Sequence, residues 1–310
     1  MQGIPEYLRE IVAKAAIASF PFIGTGSKNE GDQAAVDAMR AAFEGKDMDA
    51  IVRVGEGEKD NAPMLYVGER LGTGRGTKLD IAVDPIEGTS LMAAGKPNAI
   101  SVIAASEQDA FWEAGHAYYM DKIVVGRQAK DVIDIRASVA ENLHAIARAK
   151  GKSIADVSVY VLNKPRHIKL RAEIAAIGAN VALHDEGDVI GSAMALMDDS
   201  GIDVLMGIGG APEAVITAAA VKALGGGMQG RLAPQKEDEL ENLQREGVDL
   251  AKVYQLDDFI RSDYAVFAAA GVTTGPLLQG VEVSETSYST EVIVIDSSYG
   301  VSQEIVIYPK

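Results

Sequence analysis

Short apolar runs alternate with amphipathic stretches along this chain, and that alternation restricts it to layered folds of the α/β class. IVRV (51–54), LDIAV (79–83) and AISVIAAS (99–106) have the length and composition of buried strands, as do VSVYVL (157–162), NVALH (180–184) and DVLMGI (203–208). The intervening pattern predicts helices at 5–20, 30–44 and 138–150, and a short helix opened by Pro63. The polar stretch 234–247 reads as a solvated helix or mobile loop, and EVIVID and QEIVIY around SSYG read as a closing hairpin. A chain of 310 residues is long for one core, and GKS at 151–153 marks a domain boundary. The expected organisation is an N-terminal domain over 1–150, completed by the hairpin 285–310, and a C-terminal α/β domain over 151–284.

Composition removes several classes of function. With no cysteine, the chain has no disulfides, thiolate nucleophile, zinc–cysteine site or iron–sulfur cluster. A formal net charge of -16 repels nucleic acid and anionic membranes alike. The N-terminal MQGIPEYLREIVAKAA places acids and a proline where a signal peptide has a basic segment and an apolar run. No apolar stretch approaches the ~20 residues that span a bilayer. The expectation is a cytoplasmic enzyme or binding protein with a small-molecule partner.

Acids then recur after separate strands. In VDPIEGTS (83–90), Asp84 and Glu87 flank Pro85 and precede Gly88 and Thr89; the stretch reads as a simple turn or as a carboxylate site. In VGEGEKDNAP, Glu56 and Glu58 follow a strand, spaced by glycines that suggest close backbone approach. In NEGDQAAVDAMRAAF, Val36, Met39 and Phe43 form a core stripe, and Asp32 lies one turn earlier on that face, as an inward acid or a helix-capping one. In GIGGAPEAVITAAAVKAL a strand ends in glycines and Glu213 opens a helix, as a dipole-compensating acid or a ligand. Recurrence at strand ends is how an α/β fold gathers carboxylates into one cleft. Hard oxygen donors without cysteine select magnesium or manganese over zinc.

VGEGEKDNAPMLYVGERLG, VDPIEGTS, NKPRH and GIGGAPEAVITAAA together closely resemble the class II fructose-1,6-bisphosphatases of the GlpX type, over residues from about 10 to 280. More broadly, the D-P-x-E-G-T turn is similar to that of the lithium-sensitive, metal-dependent sugar phosphatases. The resemblance implies a stacked α/β/α/β/α sandwich with a site between two domains, and hydrolysis of the 1-phosphate of fructose 1,6-bisphosphate. It implies Asp32, Glu56, Asp84, Glu87 and Glu213 as metal ligands for Mg2+ or Mn2+. It gives Thr89 as the hydroxyl that orients the attacking water, with Lys28 and Asp60 beside the catalytic centre. Glu87, Gly88, Thr89, Tyr119, Lys164, Pro165, Arg166, Glu186, Gly187, Asp188 and Gly210 are the implied sugar-phosphate contacts. A homo-oligomer, dimer or tetramer, is implied as well.

Some stretches depart from the family pattern, among them 231–250 and the C-terminus, which are shorter than in many relatives. Gly26-Ser27-Lys28-Asn29 stands where relatives commonly read G-D-K-N, and Ala114–Met120 carries an extra residue before the tyrosine, so Tyr118 and Tyr119 both compete for the sugar. Other readings of the same residues are a dual fructose-1,6-/sedoheptulose-1,7-bisphosphatase, an inositol-monophosphatase-like enzyme, and a non-catalytic sugar-phosphate sensor. His167, next to Arg166, reads as structural.

Overall fold

The computed structural model describes residues 3–55 and 64–310. They form two compact units, one from residues up to Phe111 together with Ser262–Lys310, the other from Trp112–Arg261. Each is a sheet with helices packed on it, the layered α/β class expected.

The first unit holds a sheet ordered Glu282–Val283, Ser287–Asp296, Ala265–Gly271, Ile100–Glu107, Thr77–Glu87, Met48–Val54, Arg70–Leu71, with Gly300–Pro309 paired to Ser287–Asp296. Its central strands Ile100–Glu107 and Ala265–Gly271 are buried on both faces, up to Glu107, and are correspondingly rich in apolar residues. Helix Ile4–Ser19 lays Leu8, Ile11, Val12 and Ala15 into the core, and helix Lys28–Ala42 adds Ala35, Val36 and Met39. The strand expected at 79–83 continues to Glu87 through Pro85. Asp84 faces Val102 while Glu87 faces Ile100, so this strand carries one extra residue there. A proline is tolerated at such a bulge because the ladder is interrupted at that point. The helix expected from Pro63 begins outside the described residues, and 64–69 are turns rather than helix. Glu69 explains the turn: its buried carboxylate accepts the Leu65 N–H and pairs with Arg40.

The second unit holds a sheet ordered Tyr254–Gln255, Gly227–Leu232, Tyr119–Val125, Val204–Gly210, Ser158–Leu162, Asn180–His184. Ser158–Leu162 runs parallel to both of its neighbours. Helices Val139–Ala149 and Ile168–Ile177 cover one face with Leu143, Ile146 and Ile174 against Ile123, Val125, Val159 and Val161. Ser138 starts the first of these helices in a capping box with Glu141. Helices Asp188–Leu196 and Glu213–Leu224 pack against each other and against the sheet.

The boundary expected at 150 falls inside this second unit. Tyr119–Val125 bonds to Val204–Gly210 and Gly227–Leu232, which takes 112–150 into the second sheet. Ala265–Gly271 bonds to Ile100–Glu107, which returns the chain to the first sheet well before the hairpin. The stretch 234–247 contains helix Glu237–Arg245, and it is anchored. Glu239 is fully buried and accepts the N–H groups of Tyr118 and Tyr119 at 2.7 Å each and that of Gln235 at 3.0 Å. Among the described residues, no helix is long and apolar enough to cross a membrane.

Candidate active site

In the first unit the described candidate residues lie on the strand Thr77–Glu87, the short helix that follows it and the start of helix Lys28–Ala42. Met48–Val54 and Thr77–Glu87 are parallel, so Gly55 and Gly88 leave the sheet on the same side. Gly88 takes φ 86°, a left-handed angle that glycine adopts without strain, and turns the chain from the bulged strand into the five-residue helix Thr89–Ala93. Glu87 is buried, while Asp84 and Thr89 are half-buried.

The start of helix Lys28–Ala42 docks on this turn. Gly24 N–H donates to Met92 O at 3.0 Å, Gly26 N–H to Ala93 O at 2.9 Å, and Lys28 Nζ to Ser90 Oγ at 3.2 Å. Gly31 packs closely there: a Cβ would meet the Met92 side chain and lie 2.9 Å from Phe22 Cβ. The helix begins at Lys28 with Ser27 as N-cap, so Asp32 lies in its second turn and caps nothing. Burial pushes the Asp32 carboxyl above the ordinary aspartate range, opposed by the Lys28 ammonium. Glu56 and Asp60, with Glu58, lie outside the described residues.

In the second unit the C-terminal ends of three parallel strands carry the rest. Leu162 leads to Lys164, Pro165 and Arg166; His184 leads to Glu186, Gly187 and Asp188; Gly210 leads to Glu213. Tyr119 opens the antiparallel strand and sits opposite Gly210, which brings it to the same end. Arg166 Nε donates to Ile208 O at 3.0 Å, and its guanidinium lies 5.3 Å from the centre of the Tyr119 ring. Tyr118 is 40% exposed, so Tyr119 is the tyrosine that shares this cluster. His167 is structural, as expected. Its Nδ1 donates to Leu162 O and its Nε2 accepts the Ile208 N–H, both at 2.7 Å, and burial holds its pKa below the usual histidine range. Tyr160 supports the 186–188 turn, donating from its hydroxyl to Gly187 O at 2.7 Å and stacking on His184.

Glu213 is the first residue of its helix, and its Oε2 is buried with no hydrogen-bond partner among the described residues. Burial raises its carboxyl pKa, and the nearby Asp188 carboxylate raises it further. A Cβ on Gly210 would fall inside this carboxylate, so the glycine creates the space that Glu213 occupies. Sequence reasoning missed Lys122, whose side chain is buried on the same sheet face and whose Nζ donates to Asp188 Oδ2 and, at 2.8 Å, to Gly210 O. A lysine within an apolar strand pattern looks like a solvent-facing position; only the cross-sheet pairing shows otherwise. Among the described residues no group of three acidic or imidazole side chains converges as a metal site. The expected ligands are Asp32, Asp84 and Glu87 in one unit, Glu213 in the other, and Glu56 outside the described residues.

The model of the family described as "Bacterial fructose-1,6-bisphosphatase, glpX-encoded" matches residues 5–307. The chain belongs to this family. It is similar to the fructose-1,6-bisphosphatase class 2 of Haemophilus influenzae, at 44% identity over 298 residues covering 92% of this chain and 89% of that protein. It is also similar to the fructose-1,6-bisphosphatase 1 class 2 of Escherichia coli strain K12, at 42% identity over 92% of this chain and 88% of that one. In this glpX-type chain the segment expected to depart from the family pattern at Gly26-Ser27-Lys28 has a structural role: backbone bonds from Gly24 and Gly26 seat the 28–42 helix on the 88–93 turn. The end of the 114–120 segment is held by Glu239.

Proposed function

We propose that this chain hydrolyses the 1-phosphate of fructose 1,6-bisphosphate, giving fructose 6-phosphate and inorganic phosphate, with Mg2+ or Mn2+ as cofactor. Family membership across nearly the whole chain carries this reading. The donor set fits a hard cation. It is made of carboxylates alone, and two of them, Asp32 and Glu213, are disfavoured as bare buried anions. Asp32, Glu56, Asp84, Glu87 and Glu213 are the residues that would hold it. Magnesium or manganese, when bound, supplies the positive charge that phosphate-ester hydrolysis needs at the phosphoryl oxygens and the attacking water.

The chain's own groups do the positioning. The Thr89 hydroxyl, placed by Gly88 at the head of its short helix, holds the attacking water in line. Lys28 and Asp60 assist beside it. Lys164 and Arg166 bind the phosphate that is retained. Arg166 suits this task because no carboxylate pairs with it among the described residues, and its plane is set by Ile208 O and the Tyr119 ring. Glu186, Asp188 and Gly210 contact the sugar. The working form in this proposal is a cytoplasmic homo-oligomer, a dimer or tetramer.

Phosphate release from a panel of sugar bisphosphates and inositol monophosphate, run with each divalent ion, tests the reading. Fructose 1,6-bisphosphate should be hydrolysed fastest, chelation should abolish turnover, and Mg2+ or Mn2+ should restore it where Zn2+ does so poorly. Full turnover in excess chelator, or preference for a monophosphate, would overturn it.

A further inference from the structure

Lys122 is the one charged residue in Tyr119–Val125 whose side chain is entirely enclosed, with 0% of it accessible. Burying an ammonium is costly, and replacing a buried ion pair as a whole by apolar side chains of similar volume is often neutral or stabilising, so stability alone does not account for a charge at this position. The surroundings of Lys122 show where its charge is directed. Its Nζ donates to Asp188 Oδ2, at the first residue of helix Asp188–Leu196, and at 2.8 Å to the carbonyl of Gly210, at the last residue of its strand. Both partners stand at the sheet end that gathers the candidate site. Gly209 has no room for a side chain: a Cβ would lie within 3.1 Å of Lys122 Nζ and overlap the Asp188 carboxylate. Ser192 Oγ donates to Asp188 O at 2.7 Å, which fixes that residue's backbone and leaves its carboxylate to be set by Lys122.

We infer that Lys122 is a positioning residue, whose buried ammonium aims the Asp188 carboxylate and the Gly210 peptide toward the sugar phosphate. This inference rests on the reading of Asp188 and Gly210 as substrate contacts. Lys122 touches no substrate itself. A fixed cation spanning two otherwise separate strand ends holds them in one geometry before substrate arrives, so ordering them costs no affinity at binding.

The test is a double-mutant cycle of Lys122→Met and Asp188→Asn, read as the KM for fructose 1,6-bisphosphate, with folding of each variant checked by thermal unfolding. Lys122→Met should raise KM by about 10-fold and Asp188→Asn by a comparable factor, the range of one lost charged contact. Because one residue acts through the other, the double variant should show no more than the larger single effect. If Lys122→Met does not fold, Lys122→Gln takes its place in the cycle, keeping one donor without the charge. A purely structural lysine would lower the melting temperature and leave KM within 2-fold of the parent; that result overturns the inference. So does a double variant whose rise in KM equals the product of the two. Failure of the underlying reading looks different: Asp188→Asn alone would then leave KM unchanged.

Discussion

Two strand-to-helix turns in this molecule solve opposite problems. After Thr77–Glu87 the acids belong to the strand itself: a bulge at Pro85 separates Asp84 from Glu87, and Gly88 supplies only a backbone angle. After Val204–Gly210 the strand has no acid, and glycines 209 and 210 supply space that Asp188 and Glu213 fill from two helices. The first turn delivers carboxylates, while the second delivers room for them. Glycine therefore has two distinct uses here, and substitutions at the two turns should fail for different reasons.

The largest effect is expected where the space is taken away. Gly210→Ala should fold, because Gly210 lies at a strand end with an ordinary φ, yet it should lose more than about 100-fold in turnover as its Cβ displaces Glu213. Circular dichroism and single-turnover rates on one preparation check this. Native turnover would mean that the space beside Glu213 is not used.

At the first turn the hydroxyl is what counts, so Thr89→Ala should keep near-native affinity for fructose 1,6-bisphosphate and lose about 100-fold in turnover, with Thr89→Ser retaining most of the rate. Calorimetric binding and turnover separate this from a turn with no chemical role, in which both variants would match the parent. Arg166→Ala should act in the other sense. It should weaken substrate binding by about 1.5–3 kcal/mol through a lost charge-assisted contact, seen as a higher KM with a smaller change in turnover number. An unchanged KM would place Arg166 outside the site.

The smallest effect concerns the strand-end scaffold itself. His167 is held neutral by burial, so its folded-state pKa lies below the unfolded value of about 6.5. The unfolded chain then binds the extra proton, and stability must fall as pH drops below about 6.5. Thermal unfolding at pH 7.5 and 5.5 should show this acid loss in the parent and less of it in His167→Gln. Equal losses in both would show that other groups dominate the acid limb.

Much of this was legible beforehand, for identifiable reasons. The core stripe of Val36, Met39 and Phe43 put Asp32 on an inward face, and it is half-buried and not a cap. The same reasoning could not extend the strand through Pro85, because a bulge depends on what the partner strand does. Nor could it place the break between units, which follows from Tyr119–Val125 and Ala265–Gly271 each pairing with strands of the other half of the sequence or beyond a long insertion.

By itself the sequence determined most of the element types and placed acids and a hydroxyl at the strand ends, because periodicity, turn chemistry and capping act between residues a few positions apart. Only the tertiary structure decided which charges are buried and what compensates them. Lys122 meets Asp188 across 66 positions and Gly210 across 88, and Glu239 holds Tyr118 across 121. A buried charge is tolerated only where a partner reaches it through the fold, and no local pattern records which distant residue that partner will be.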